Sequence, residues 1–170
     1  MEKVQAEQLF RRLLDQYQQA IYWHIRRMVV RHEDAEDVLQ ETFVRAFRSI
    51  ESLREESAAK AWLYRIATNE SLRHLAQNRE ALLSTEEVEA EVLDKLMETE
   101  YVDYDDAMAV VFQKAILSLP AMQRTVFLLR YYNELSYEEI AQITESRVET
   151  LKVNYHYAQQ RIKAYIKQHG

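Results

Sequence analysis

Residues 135–166 read LSYEEIAQITESRVETLKVNYHYAQQRIKAYI. Ser136 precedes Glu139 by three positions, so the serine hydroxyl can accept from the Glu139 amide while the glutamate side chain accepts from the Ser136 amide. A helix is predicted from Tyr137 to about Ile143, with Ile140, Ala141 and Ile143 turned inward. It gives way at Thr144, Glu145 and Ser146, which are poorer helix formers. A second helix is predicted to start near Arg147. Its Val148, Leu151, Tyr155, Ala158, Ile162 and Tyr165 recur at steps of three and four, making one buried stripe that leaves Glu149, Thr150, Lys152, Asn154, His156 and Arg161 outside it. Two helices joined by a tight turn, the second long and polar on its outer side, fit a helix-turn-helix whose second member enters a DNA major groove. A merely solvated hairpin would show the same periodicity.

Composition narrows the class. One Gly and one Pro in 170 residues are too few for the hairpins of a β protein, so the chain is predicted to be all-α. It has no cysteine, which excludes disulfides, thiolate chemistry and Cys-based zinc sites. The opening MEKVQAEQLFRR lacks an apolar signal core, and no run approaches the length of a membrane span, so a soluble, cytoplasmic protein without direct membrane insertion is expected. The net charge of −6 is unevenly distributed: residues 1–80 hold 13 basic and 13 acidic side chains, residues 81–112 hold one and ten, and residues 113–170 hold eight and five. This reads as two small helical domains, 1–80 and 112–170, joined by an acidic connector, 81–111. Within the connector Val88, Val92, Leu93, Leu96 and Met97 could support a short amphipathic helix.

The first domain opens with a helix predicted over Val4 to about Val30, with Leu9, Leu13, Tyr17, Ala20, Ile21, His24, Ile25 and Met28 on one side. At roughly 26 residues it would be about 40 Å long. His24 reads as a satisfied interior imidazole, since no partner stands at metal spacing. The next helix, within RHEDAEDVLQETFVRAFRSI (31–50), gathers Glu33, Asp34, Glu36 and Asp37 near its start, where the unpaired amides favour negative charge. Leu39, Phe43, Ala46, Phe47 and Ile50 are predicted on its buried line and Val38, Thr42, Arg45 and Ser49 on another. Asp37, Gln40 and Glu41 form an exposed acidic and amide patch suited to a basic partner helix. Residues 51–60 read as a loop or short turn, and a third helix follows from Ala61 to about Arg79. There Trp62, Ile66, Asn69 and Arg73 share a line, and aromatics beside cations are what single-stranded bases need, although by default Trp62 and Tyr64 read as core or boundary residues.

LSYEEIAQI, the three-residue turn and the following R-V-E-T-L-K resemble the promoter-reading end of the extracytoplasmic-function (ECF) sigma factors, with Thr150 and Lys152 at matching motif positions. Independently, D-A-E-D followed by an apolar pair, Q-E and an aromatic is similar to that family's core-binding helix, and AWLYRIA with Asn69 resembles its minus-ten segment. The resemblance covers about 9–80 and 112–166. It implies that Asp34, Asp37, Gln40, Glu41 and Phe43 dock on the β′ clamp helices of core RNA polymerase. It implies likewise that Lys60, Trp62, Arg65, Asn69 and Arg73 meet the minus-ten element, with Ser52 to Lys60 at the mouth of a pocket for a flipped base. Arg147, Glu149, Thr150, Lys152, Asn154, His156 and Arg161 would read the minus-thirty-five element. The second domain, opening near Met108 and continuing through the apolar LPAMQRTVFLLRYY, would also hold the β flap. The connector would thread a basic channel of the polymerase, and an anti-sigma protein, in some cases membrane-bound, would hold the chain inactive. No catalytic residue, metal or other cofactor is implied.

The pattern is broken where Glu145 stands in place of the family's usual turn Gly, implying either a turn without a left-handed residue or a strained one, and where Asn154 and Tyr157 replace cations. Two rivals follow from the residues alone. A conventional dimeric helix-turn-helix regulator would bind a palindrome without polymerase. A helical metalloenzyme built on His32, Glu33, Asp34, Glu36 and Asp37 is disfavoured because consecutive helical residues point different ways.

Overall fold

The structure, a computed structural model, describes residues 2–77 and 107–170. The reading of 81–106 as an acidic connector, with or without its own helix, lies outside them. Among the described residues there are seven α-helices and no strand: α1 (Lys3–Val29), α2 (His32–Arg48), α3 (Ala59–Gln77), α4 (Ala107–Leu117), α5 (Ala121–Tyr131), α6 (Tyr137–Thr144) and α7 (Val148–His169). Short 3-10 turns, Ile50–Ser52 and Glu56–Ala58, lead from α2 into α3.

Helices α1, α2 and α3 pack on one another. Leu13, Ile21, Ile25 and Met28 of α1 meet Ala35, Val38 and Ala46 of α2 and Leu63, Tyr64 and Ala67 of α3 in the interior. Each fully buried Leu or Ile contributes about 1.5–3 kcal/mol. The reversal from α1 into α2 is abrupt because Val30 takes φ 82, ψ −51 and the Arg31 amide donates to the Val29 carbonyl at 3.0 Å, a tight and strained γ-turn.

Two expectations change here. Val38 and Thr42 are buried, whereas Phe47 is 47 % exposed. With α1 on one side and α3 on the other, the inward direction of α2 falls on Ala35, Val38, Thr42 and Ala46, and the Leu39–Phe43–Phe47 row is carried to the edge of α1. Thr42 tolerates burial by donating to the Val38 carbonyl at 2.7 Å. Ala20 also faces outward.

In the second half α7 packs on α4, α5 and α6. Ile116, Val126, Leu128, Leu129, Leu135, Ile140, Ile143, Leu151, Ala158 and Ile162 form the interior. Phe127 stacks between Tyr131 (5.1 Å) and Tyr155 (5.7 Å). Helix α6 begins with the predicted capping box, its two bonds each 3.1 Å. It ends at Glu145, which is left-handed at φ 55, ψ 35. Of the two turns the missing Gly allowed, the strained one is adopted.

The two halves touch. Helix α3 lies against α6, and α1 against α5.

Candidate nucleic-acid interface

Three surfaces carry the candidate residues. The first is an apolar groove of about 670 Å³ between α1 and α2, lined by Phe10, Leu14, Leu39, Gln40, Phe43 and Phe47 among others. Phe10 meets Phe43 and Phe47 edge-on at 6.1 and 5.2 Å, so the rings hold one another in place while Phe47 remains half exposed. Gln40 and Phe43 therefore belong to the groove. The acidic candidates do not join them: Asp37 and Glu41 line a shallow pocket toward α3 with Glu70, Arg73 and His74, Glu41 pairs with Arg45 at 3.1 Å, and Asp34 pairs with His74 at 3.4 Å.

The second surface is the outer edge of α3. Trp62 and Arg65 line a cavity of about 360 Å³ with Ser52, Leu53, Arg54, Glu55 and Ala58 of the preceding loop, and Gln142 and Ile143 of α6 close its far side. Asn69 is exposed one to two turns along, and Arg73 pairs with Glu70 at 3.6 Å. Lys60 does not line the cavity. Its Nζ donates to the Asn133 carbonyl at 2.9 Å, while Arg65 donates to Glu145 at 2.9 Å. Tyr64 is core, 1 % exposed, and its hydroxyl donates to Asn133 Oδ1 at 2.6 Å. Burial pushes its pKa up to about 12, so it remains a donor. Two of the five minus-ten candidates are thus held by the helix-turn-helix half.

The third surface is the outer face of α7. Arg147, Glu149, Thr150, Lys152, His156 and Arg161 are exposed there and Asn154 is half-buried, so the stripe read from the sequence leaves the predicted residues outward. Lys152 Nζ stands 5.8 Å and Arg130 Cζ 4.6 Å from the Tyr137 ring centre.

Sequence reasoning missed Asn133, the Glu145 ion pair and the groove residues Phe10, Leu14 and Phe47. The i, i+4 row Leu39–Phe43–Phe47 was a signal for the groove, but for Asn133, bonded 69 and 73 positions away, there was none. His24 is buried as expected, with Nε2 bonded to Thr68 at 2.9 Å, but its Nδ1 lacks a hydrogen-bond partner. Burial first and Arg27 second lower its pKa to about 3.

A three-helix module carrying an apolar groove, followed by a helix-turn-helix module, is the arrangement of a sigma-70-type transcription factor, and the family comparison agrees. Residues 13–81 match Sigma-70 region 2 and residues 109–162 match Sigma-70, region 4. The chain is 36% identical over 163 residues to the ECF RNA polymerase sigma-E factor of Haemophilus influenzae, covering 89% of this chain and 85% of that protein. It is 31% identical over 166 residues to the ECF RNA polymerase sigma factor SigW of Bacillus subtilis, covering 93% and 89%. In fold it is similar to the sigma factor RpoE co-crystallised with the anti-sigma factor NepR from Bartonella quintana (TM-score 0.72, 24% identity, 93% of this chain and 96% of that one). It is also similar to CnrH in complex with the cytosolic domain of CnrY (TM-score 0.69, 21% identity, 98% and 97%). The chain belongs to the extracytoplasmic-function family of RNA polymerase sigma factors. It is a polymerase-binding, promoter-directing factor, and the dimeric-regulator alternative is not favoured.

Proposed function

We propose that the two halves divide the work of initiation at the residues identified above. The α1–α2 groove receives the β′ clamp helices: Phe43 and Phe47 supply apolar area, Gln40 a polar anchor at its edge, and Asp34, Asp37 and Glu41 a flanking acidic field for basic side chains of the partner. The α3 edge takes the minus-ten strand, with Trp62 offering a stacking face and Lys60, Arg65, Asn69 and Arg73 meeting phosphates and base edges. The loop cavity beside Trp62 accepts a flipped base. Extrusion costs a few kcal/mol, offset without ATP by binding the base and strand. Helix α7 reads the minus-thirty-five element through Arg147, Glu149, Thr150, Lys152, Asn154, His156 and Arg161, and the same half holds the β flap. Residues 1–80, 81–111 and 112–170 are on this reading the gripping and melting domain, the connector through the polymerase channel, and the addressing domain.

The observation that supports this most directly is the pairing, in one chain, of an exposed apolar groove with a separate helix whose polar face is outward. Bond making belongs to the polymerase. Among the described residues no helix is long and apolar enough to cross a membrane, which accords with a factor working in the cytoplasm. An anti-sigma partner covering the groove, soluble or at the inner membrane, accords with one fold neighbour having been co-crystallised with an anti-sigma factor. Gel filtration of the purified chain with bacterial core polymerase tests the assignment. Stoichiometric co-elution that protects an asymmetric two-element site is expected, and a chain that elutes alone and footprints a palindrome would overturn it.

A further inference from the structure

The orientation of α7 decides which side chains lead into a DNA groove. Successive residues turn by about 100°, so if Leu151, Ala158 and Ile162, all buried, mark the inward direction, those pointing most directly away are Glu149, Val153, His156 and Gln160. Val153 sits at the apex of this face, in the second turn, and is 52 % exposed.

A single exposed apolar side chain is ordinary on a protein surface. Here two further features separate it from that background. Valine is β-branched and a weaker helix former than the Lys, Gln or Ala that an outward position favours, and Val153 gains little burial in exchange. In addition, Tyr157 one turn on is 51 % exposed, so the two form an apolar strip on the outer side of the helix. The surroundings specify the partner. Helix α7 carries Lys152, Arg161, Lys163 and Lys167, with Arg147 at its N-cap, against the single carboxylate of Glu149, a balance that suits a polyanion.

Among the groups that line a B-DNA major groove, the apolar one is the C5-methyl of thymine. We propose that Val153 is a specificity-determining residue that packs against one thymine methyl in the upstream promoter element. This rests on the reading of α7 as the DNA-reading helix. It adds a contact that needs neither charge nor hydrogen bond, one turn before Tyr157, which stands in place of a cation. Because it discriminates through one methyl group, it separates thymine from cytosine at a single step and contributes little to phosphate-driven affinity.

The test uses holoenzyme reconstituted from the full chain and core polymerase, on a promoter isolated from a genomic library. Each upstream-element thymine is replaced in turn by deoxyuridine, which keeps every hydrogen-bonding edge and removes only the methyl. Wild-type holoenzyme should lose about three- to tenfold in promoter affinity at one position. Val153→Ala, which folds because alanine is the better helix former, should lose a similar factor on the thymine template and show no further loss with deoxyuridine at that position. The inference is overturned if no position responds to methyl removal, if Val153→Ala keeps the full methyl response, or if the element has no thymine on either strand. Failure of the underlying reading looks different: the holoenzyme would leave the upstream element unprotected, and Thr150→Ala and Lys152→Ala would both bind like wild type.

Discussion

His24 sits in an environment, and Glu145 in a conformation, that its chemistry opposes, and each makes a prediction. His24 is sealed between Thr68 and the edge of Tyr64, with Arg27 beside it, and its pKa is lowered to about 3. The folded state therefore binds fewer protons than the unfolded chain, whose histidine has a pKa near 6.5, and stability falls as pH drops below about 6.5 and continues falling toward about 3. The slope from this group approaches about 1.4 kcal/mol per pH unit. Urea titrations at pH 7, 6 and 5 should show it in the wild type, and His24→Gln should remove most of it. Identical pH slopes for the two proteins would show that His24 remains accessible to protons. Glu145 is left-handed at φ 55, a conformation costing a non-glycine residue roughly 1–2 kcal/mol. Its ion pair with Arg65 joins groups 76 % and 49 % exposed, so screening by water and salt keeps the return small. Relief of strain should outweigh the lost pair and the added chain entropy, so Glu145→Gly should leave thermal stability unchanged or raised, by up to about 1 kcal/mol. A clear fall in Tm would contradict this.

At the scale of helices, α2 shows what a sequence discloses and where it misleads. Periodicity located the element, and Glu33 and Asp34 stand in its first turn as expected. Ranking by hydrophobicity put Leu39, Phe43, Ala46, Phe47 and Ile50 on the buried line, and Phe43, Ala46 and Ile50 are buried, but Phe47 is exposed. Packing of α2 between α1 and α3 turns Val38 and Thr42 inward as well and leaves Phe47 at the rim of the groove. Phe47 is accordingly the residue at which stability and function part. Phe47→Asp should shift Tm little, since the side chain is half exposed, but should weaken binding to core polymerase by at least about tenfold. Unimpaired co-elution of the variant with core would remove the groove from the docking surface. Helices α6 and α7 were legible almost to the residue because their boundaries rest on local chemistry, the capping box and the turn at Glu145. The contacts of Asn133 were not, since they join residues far apart in sequence and follow no periodic rule.

The largest structural consequence concerns the molecule as a whole. Lys60 and Tyr64 bond to Asn133, Arg27 stacks on Tyr132 at 3.9 Å, and Arg124 donates to the Met28 carbonyl at 3.1 Å, so the α3 edge proposed to take the minus-ten strand is partly covered by the second half. A compact chain of this length is about 40 Å across, whereas promoter elements about 25 base pairs apart lie about 85 Å apart at 3.4 Å per pair. If α3 and α7 meet the two elements as proposed, the closed arrangement cannot engage both, and the halves have to separate on the polymerase. Because the chain has no cysteine, dyes can be placed cleanly at Gln19→Cys and Gln159→Cys. Tyr64→Phe removes one interdomain hydrogen bond of about 1 kcal/mol and should raise the open-to-closed ratio about fivefold. A FRET distribution identical to that of the parent would mean that this bond does not hold the halves together.

The central claim, that one chain grips the polymerase with its first half and addresses it with its second, is tested most directly by transcription in vitro from a genomic fragment library, using core polymerase with and without the protein. The account predicts discrete start sites only when both are present, each downstream of an asymmetric pair of elements, with the two halves supplied as separate chains failing to restore them at equal concentration because tethering is lost. Start sites unchanged by the protein, or a palindromic operator occupied in the absence of polymerase, would contradict it.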